Sequence, residues 1–342
     1  MNDTTTPPRA ARPRRRLLLA AAAAAIVLAG GGAVSCTVVA RADKPDCGSL
    51  SSDAALRRSL GDAYREDMDC GALGTAIRSA ATGAAPGRHT LAEARAMRAA
   101  LTAVAADIER RQDPVVAPDL RAPLAAALVD YAQDTQEILG GVNGEYTRRE
   151  DDAPWRDGTT VRMPARIDDL VEVLRSVSED PAAYADLRAA HVRQCAAHLA
   201  EVTAGATGAR YTSPARTCAA GLGHFDGIAD DIPESQGEQW RSDVLLRLKN
   251  TAGSAPSYDT DPVRHIAGNW QQAVTQQVAP DQSRFLKDDS SRIVDIWTTA
   301  RGEGTDSRKV NDLQADVTND AGSSAGETQK ALNCTRHPAE CG

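Results

Sequence analysis

Apolar side chains return at helical spacing from residue 94 to residue 297, and this recurrence is what most limits the fold open to the chain. Ala94, Met97, Leu101, Val104 and Ile108 fall on one stripe, and Leu120, Leu124, Leu128, Tyr131, Thr135 and Ile138 on a second. Ile167, Leu170, Val171, Leu174 and Val177 follow i, i+3, i+4, i+7 and i+10, the pattern of a helix that buries one face. Start signals punctuate the series. Asp180 can cap a helix whose first residue is Pro181, where the missing N–H is no loss, and Asp261-Pro262 repeats the device. Ser235 and Glu238 have capping-box spacing ahead of Trp240, Val244 and Leu248. The expected fold is all-α, a helical bundle-like ectodomain over residues 43–300. Aromatic residues are only 4% of the chain, so its core has to be built mainly from Ala, Leu and Val.

Two stretches depart from this pattern. Residues 140–166 lack helical periodicity and carry the turn dipeptides Asn143-Gly144 and Asp157-Gly158. Trp155-Arg156 and Thr159-Thr160-Val161 flank the second dipeptide, so a short hairpin is expected there, and the segment is a candidate split between two subdomains. Residues 301–342 turn polar and Gly/Ser-rich. They read as a largely flexible tail with one marginal helix around Val310, Leu313 and Val317.

The amino-terminal region sets the expected compartment. Residues 1–16 form a basic, disordered n-region with five arginines between Arg9 and Arg16, followed by 24 uncharged residues from Leu17 to Ala40. About 20 apolar residues suffice to span a bilayer, and the arginines favour the cytoplasmic side. Three fates stay open for residues 17–40. The segment can be kept as an anchor in the lipid bilayer, or cleaved and acylated at Cys36 in the lipobox-like run Ala33-Val34-Ser35-Cys36. It can also be cut after Ala40-Arg41-Ala42 to free a secreted product. Each places the body outside the cytoplasm.

Cysteine usage agrees with that direction. Cys36 lies within the apolar segment, and Cys47, Cys70, Cys195, Cys218, Cys334 and Cys341 all lie beyond it. An even set in an oxidising compartment reads as disulfides. Six cysteines allow 15 connectivities. Spacing favours neighbours: Cys47 with Cys70, Cys195 with Cys218, Cys334 with Cys341.

Charge excludes one class of partner. Residues 1–42 hold six of the 39 basic side chains and one of the 47 acidic ones, leaving 33 against 46 and a net charge of −13 on the body. Nucleic-acid affinity rests on neutralising phosphates with Lys and Arg, so no nucleic-acid role is expected.

Motifs for chemistry are sparse. His191, Cys195 and His198 share a helix face, and His224 precedes Asp226, Asp230 and Asp231. His191, His198, His224 and Asp226 are therefore weak metal-ligand candidates, with packing beside a disulfide and helix capping as the preferred roles. Gly322-Ser323-Ser324-Ala325-Gly326 matches a nucleophile elbow in letters but has no strand before it. No Walker loop, H-E-x-x-H or C-x-x-C occurs, and no cofactor or catalytic residue is expected. Trp155, among Glu150, Asp151, Asp152 and Arg156, is a weak candidate for a partner contact, with a lid over the helices as the other reading. The function expected is non-catalytic binding or scaffolding at a bacterial cell envelope, with an envelope protein as the partner. The alternative is an envelope hydrolase or metal-dependent enzyme with a dispersed His/Asp/Glu site.

Overall fold

A computed structural model describes residues 47–83, 85–141, 143–276, 285–304 and 307–341. The basic n-region, residues 17–40 and Cys36 lie outside the described residues. Fourteen α-helices and one two-stranded sheet are present among those described, so the architecture is all-α.

The first helices are α1 (Gly48–Ser52), α2 (Ala54–Leu60), α3 (Cys70–Ala81), α4 (Leu91–Arg111), α5 (Pro118–Asp130) and α6 (Ala132–Gly140). The aperiodic stretch holds the short α7 (Gly144–Arg148) and a hairpin of β1 (Trp155–Asp157) and β2 (Thr160–Arg162). The strands pair antiparallel with Trp155 opposite Arg162 and Asp157 opposite Thr160. Gly158, at φ +59°, takes the first place of the two-residue turn, where a left-handed backbone favours glycine. This segment does not divide the body into two subdomains: residues 43–342 cluster as one unit. Tyr146 explains why, since its hydroxyl donates to the buried Asp134 of α6 and fastens α7 onto the core.

Next come α8 (Ile167–Val177), α9 (Pro181–Ala200), α10 (Ala209–Asp230), α11 (Glu234–Asn250), α12 (Pro262–Thr275), α13 (Asp289–Ala300) and α14 (Arg308–Arg336). The Asp-Pro starts work as their chemistry dictates. The Asp180 carboxylate accepts from Ala182 N–H and that of Asp261 from Arg264 N–H. The Ser235/Glu238 box is not used, because α11 begins at Glu234 with Pro233 as its unbonded N-cap. α10 runs through Pro214 without ending there. α9 lies at the centre, packed on α5, α6, α10, α11 and α12. Tyr184 on α9 meets Phe225 of α10 and Trp240 of α11 edge to face, with ring centres 6.0 and 4.8 Å apart.

The flexible tail is the main correction. Residues 308–336 form a 29-residue helix whose buried face comprises Val310, Leu313, Val317, Ala321, Ser324, Thr328, Leu332 and Thr335. Below Val317 that face is mostly small or hydroxyl-bearing, so it reads as polar in a sequence. It packs because α10 is equally small where they meet. A Cβ on Gly223 would lie 2.2 Å from the Ala321 carbonyl oxygen, and one on Gly227 2.7 Å from that of Ala325. The two helices run side by side in the same direction, joined also by Arg216–Asp320 at 2.7 Å and by Arg336 with Asp231.

Three disulfides hold the ends. Cys47–Cys70 ties the start of α1 to α3, Cys195–Cys218 joins α9 to α10, and Cys334–Cys341 closes the segment after α14. Closing loops of this kind contributes on the order of 2–3 kcal/mol each in the chain-entropy view.

Candidate functional site

The apolar stripe of α8 turns Leu170, Val171, Leu174 and Val177 into the core. The opposite edge of the same helix presents Asp168, Asp169 and Glu172 to a cleft walled by α4 and α14. α4 contributes Glu109, and α14 contributes Glu327, Lys330 and Thr335. The cleft measures about 650 Å³. That lies within the range of small-ligand sites, roughly 300–1,000 Å³. Five carboxyl groups face it against two cations, Arg166 and Lys330, and Arg166 already leans toward Asp169 at 3.9 Å.

Glu172 stands apart from its neighbours. It is 5% exposed, whereas Glu109, Asp168 and Glu327 are exposed at the rim. The Thr335 hydroxyl donates to its Oε1, and Oε2 is buried with no partner among the described residues. Burial pushes the carboxyl up to about 7. The Thr335 hydrogen bond pulls it back, while the negative charges of Glu109, Asp169 and Asp168 push it the same way as burial. Asp169 is raised by burial as well, with Arg166 opposing. A buried carboxyl that holds its proton near neutrality among the lining residues of an acidic cleft can receive a cation in exchange for that proton. It can equally donate the proton to a leaving group.

No protein family, curated protein or solved structure matches this chain.

The metal candidates do not converge. His191 is fully buried, its ring 5.3 Å from that of Phe225, and burial pushes it down to about 3. His224 pairs with the Thr328 hydroxyl at 2.8 Å and is pushed down to about 4, again by burial. His198 faces Gln136 at 3.3 Å and Glu137 at 3.8 Å. Cys195 is oxidised to Cys218 and offers no thiolate. Among the described residues, no three His, Cys, Asp or Glu side chains gather as a metal set.

Asp226 belongs to a different centre. Arg188, 0% exposed, donates to Asp289 Oδ2 from Nε (3.1 Å) and Nη2 (2.9 Å). It also donates to the Leu286 carbonyl (2.9 Å) and the Tyr184 hydroxyl (2.8 Å). Asp226 Oδ1 lies 2.8 Å from Arg188 Nη2, in ion-pair range but without the geometry of a hydrogen bond. Arg188, Tyr184, Asp226 and Asp289 are all buried, and together they link α9, α10 and α13. The G-x-S-x-G run lies inside α14 with Ser324 against the core, on no strand-to-helix turn.

Trp155 is half-buried at the start of β1, 5.0 Å edge to face from Tyr146 and capped by the Arg149 guanidinium at 5.3 Å. That packing makes Trp155→Ala costly to the fold. A loss of about 2 kcal/mol is expected in urea unfolding, part of the range for fully buried aromatics. A variant as stable as the parent would remove the packing role.

The sequence reading missed Glu172 and the acids that surround it. The signal was present as Asp169 and Glu172 three apart beside the cleanest apolar stripe. The cleft exists only once α14 forms its third wall.

Proposed function

We propose that this chain is a membrane-tethered, extracytoplasmic, non-catalytic binding protein of the cell envelope that engages a basic segment of a partner in the cleft between α4, α8 and α14. The observation that carries this reading is the buried, half-partnered Glu172 carboxyl surrounded by four further acids. Complementary potential governs such encounters, so a basic peptide is the partner chemistry that fits. Three disulfides favour an oxidising compartment for the body. No helix among the described residues is long and apolar enough to cross a membrane, so the proposed tether is residues 17–40.

The test uses N-acetyl tri-lysine amide and the full chain in detergent. Glu327→Lys and Asp168→Lys, both exposed rim positions, are each expected to weaken binding about tenfold in low salt. The wild-type affinity should fall steeply as salt rises toward physiological strength, because exposed pairs are screened within about 8 Å there. Binding indifferent to both reversals and to salt would sink the reading.

A second reading, hydrolysis, draws on the same side chain, since a protonated carboxyl beside ionised ones suits a general acid. It requires turnover that disappears in Glu172→Gln.

A further inference from the structure

The reading above leaves open what the innermost group of the cleft does, and the inference here rests on that reading. Oε1 of Glu172 is satisfied by the Thr335 hydroxyl, but the buried Oε2 has no hydrogen-bond partner among the described residues. An ionised carboxylate buried with one bare oxygen is costly, so in the empty cleft the proton is the cheapest partner for Oε2.

We infer that Glu172 is a proton-coupled anchor: an ammonium or guanidinium N–H group of the ligand takes up Oε2, and the carboxyl proton leaves to solvent. The balance is simple. Neutral carboxyl plus cationic ligand becomes carboxylate–cation pair plus one released proton, with no other bond made or broken. The ligand class is thereby narrowed to cations with N–H donors, since a quaternary ammonium has the charge but nothing to donate.

The charged surroundings support the exchange. Glu109 from α4, Asp168 and Asp169 from α8, and Glu327 from α14 all face the cleft, with Arg166 and Lys330 as the opposing cations. From the neighbouring elements, Arg121 of α5 donates to the Val116 carbonyl, and Asp231 after α10 is held by Arg175 and Arg336. Burial, aided by the surrounding negative charge, brings the Glu172 carboxyl to about 7. About nine-tenths of the chains then carry the proton at pH 6 and about one-tenth at pH 8. Because only the ionised fraction accepts the cation, apparent affinity scales with that fraction.

The experiment is titration calorimetry of the full chain with N-acetyl tri-lysine amide, run at each pH in two buffers of different ionisation enthalpy. Lysine amines stay protonated throughout this range, so any proton released comes from the protein. Release of about 0.9 proton at pH 6 and about 0.1 at pH 8 is expected, with binding about tenfold tighter at pH 8. Glu172→Gln, the isostere of the protonated form, should bind with no proton release and no rise in affinity with pH. Thr335→Val removes the hydrogen bond that favours ionisation, so the midpoint of the affinity profile should move to higher pH. The fully N-methylated tri-lysine analogue should bind without proton release.

Binding of the parent peptide with no proton release, or with release that survives in Glu172→Gln, overturns the inference while leaving the cleft as a binding site. No binding at either pH overturns the cleft reading and this inference with it.

Discussion

Gly223→Ala is expected to lower the unfolding free energy by about 3 kcal/mol, although alanine is the better helix former by about 1 kcal/mol. The added methyl would sit 2.2 Å from the Ala321 carbonyl oxygen and 2.8 Å from the Ala321 Cα, both backbone atoms of α14. A flexible side chain could rotate away from such a contact. Here the two helices have to separate along a face that both use to bury their smallest residues. Gly322→Ala supplies the control, since Gly322 is an exposed glycine on α14 whose Cβ would meet nothing within 4 Å. There the same substitution should raise stability by about 0.5–1 kcal/mol. Equal effects of the two substitutions in urea unfolding would contradict the close crossing of α10 and α14.

Arg188→Leu is the second large effect, a loss of about 3–5 kcal/mol at pH 8, because it strands the buried Asp226 and leaves Asp289 only Arg292, at 3.8 Å, as a counter-charge. Its size should depend on pH, and the carboxyls determine the direction. Burial already holds Asp226 up to about 7 and raises Asp289, with Arg188 pulling both down. Without the guanidinium both climb further above the unfolded value near 4. A carboxyl whose folded value is raised contributes stability that is complete below its unfolded value and is lost as pH rises through the folded one. The variant should therefore come nearest the parent around pH 5 and fall away toward pH 8. A difference that stays constant from pH 5 to pH 8, or one under about 1 kcal/mol at pH 8, would show that the cluster does not hold the core.

What could be read before folding was whatever depends on period and on local caps. Ile167 to Val177 formed a helix because bulky side chains mark its buried face without ambiguity. Asp180-Pro181 and Asp261-Pro262 marked helix starts through backbone chemistry confined to a few residues. The hairpin followed from Asp157-Gly158 for the same reason. The readings that went wrong depended on a distant partner. Ala321, Ser324 and Thr328 look polar or neutral until Gly223 and Gly227 are set against them. The Ser235/Glu238 spacing is sound, but with Pro233 as N-cap α11 begins two residues earlier than that box would start it. In the sequence Glu172 shows only as an acid three residues after Asp169. Its character comes from Thr335, 163 residues away, and from the depth at which α8 holds it.

The side-by-side pairing of α10 and α14 also bears on how the molecule is made. On a growing chain α10 stands complete while residues 231–307 are still being added, so its glycine face waits bare for a helix not yet synthesised. Contacts that bridge such a distance are slow to form, and they come last. During that interval the small-residue groove is open to any other alanine-rich helix in reach, whether of the same chain or of a neighbouring nascent copy. α14 is the helix that covers this glycine face.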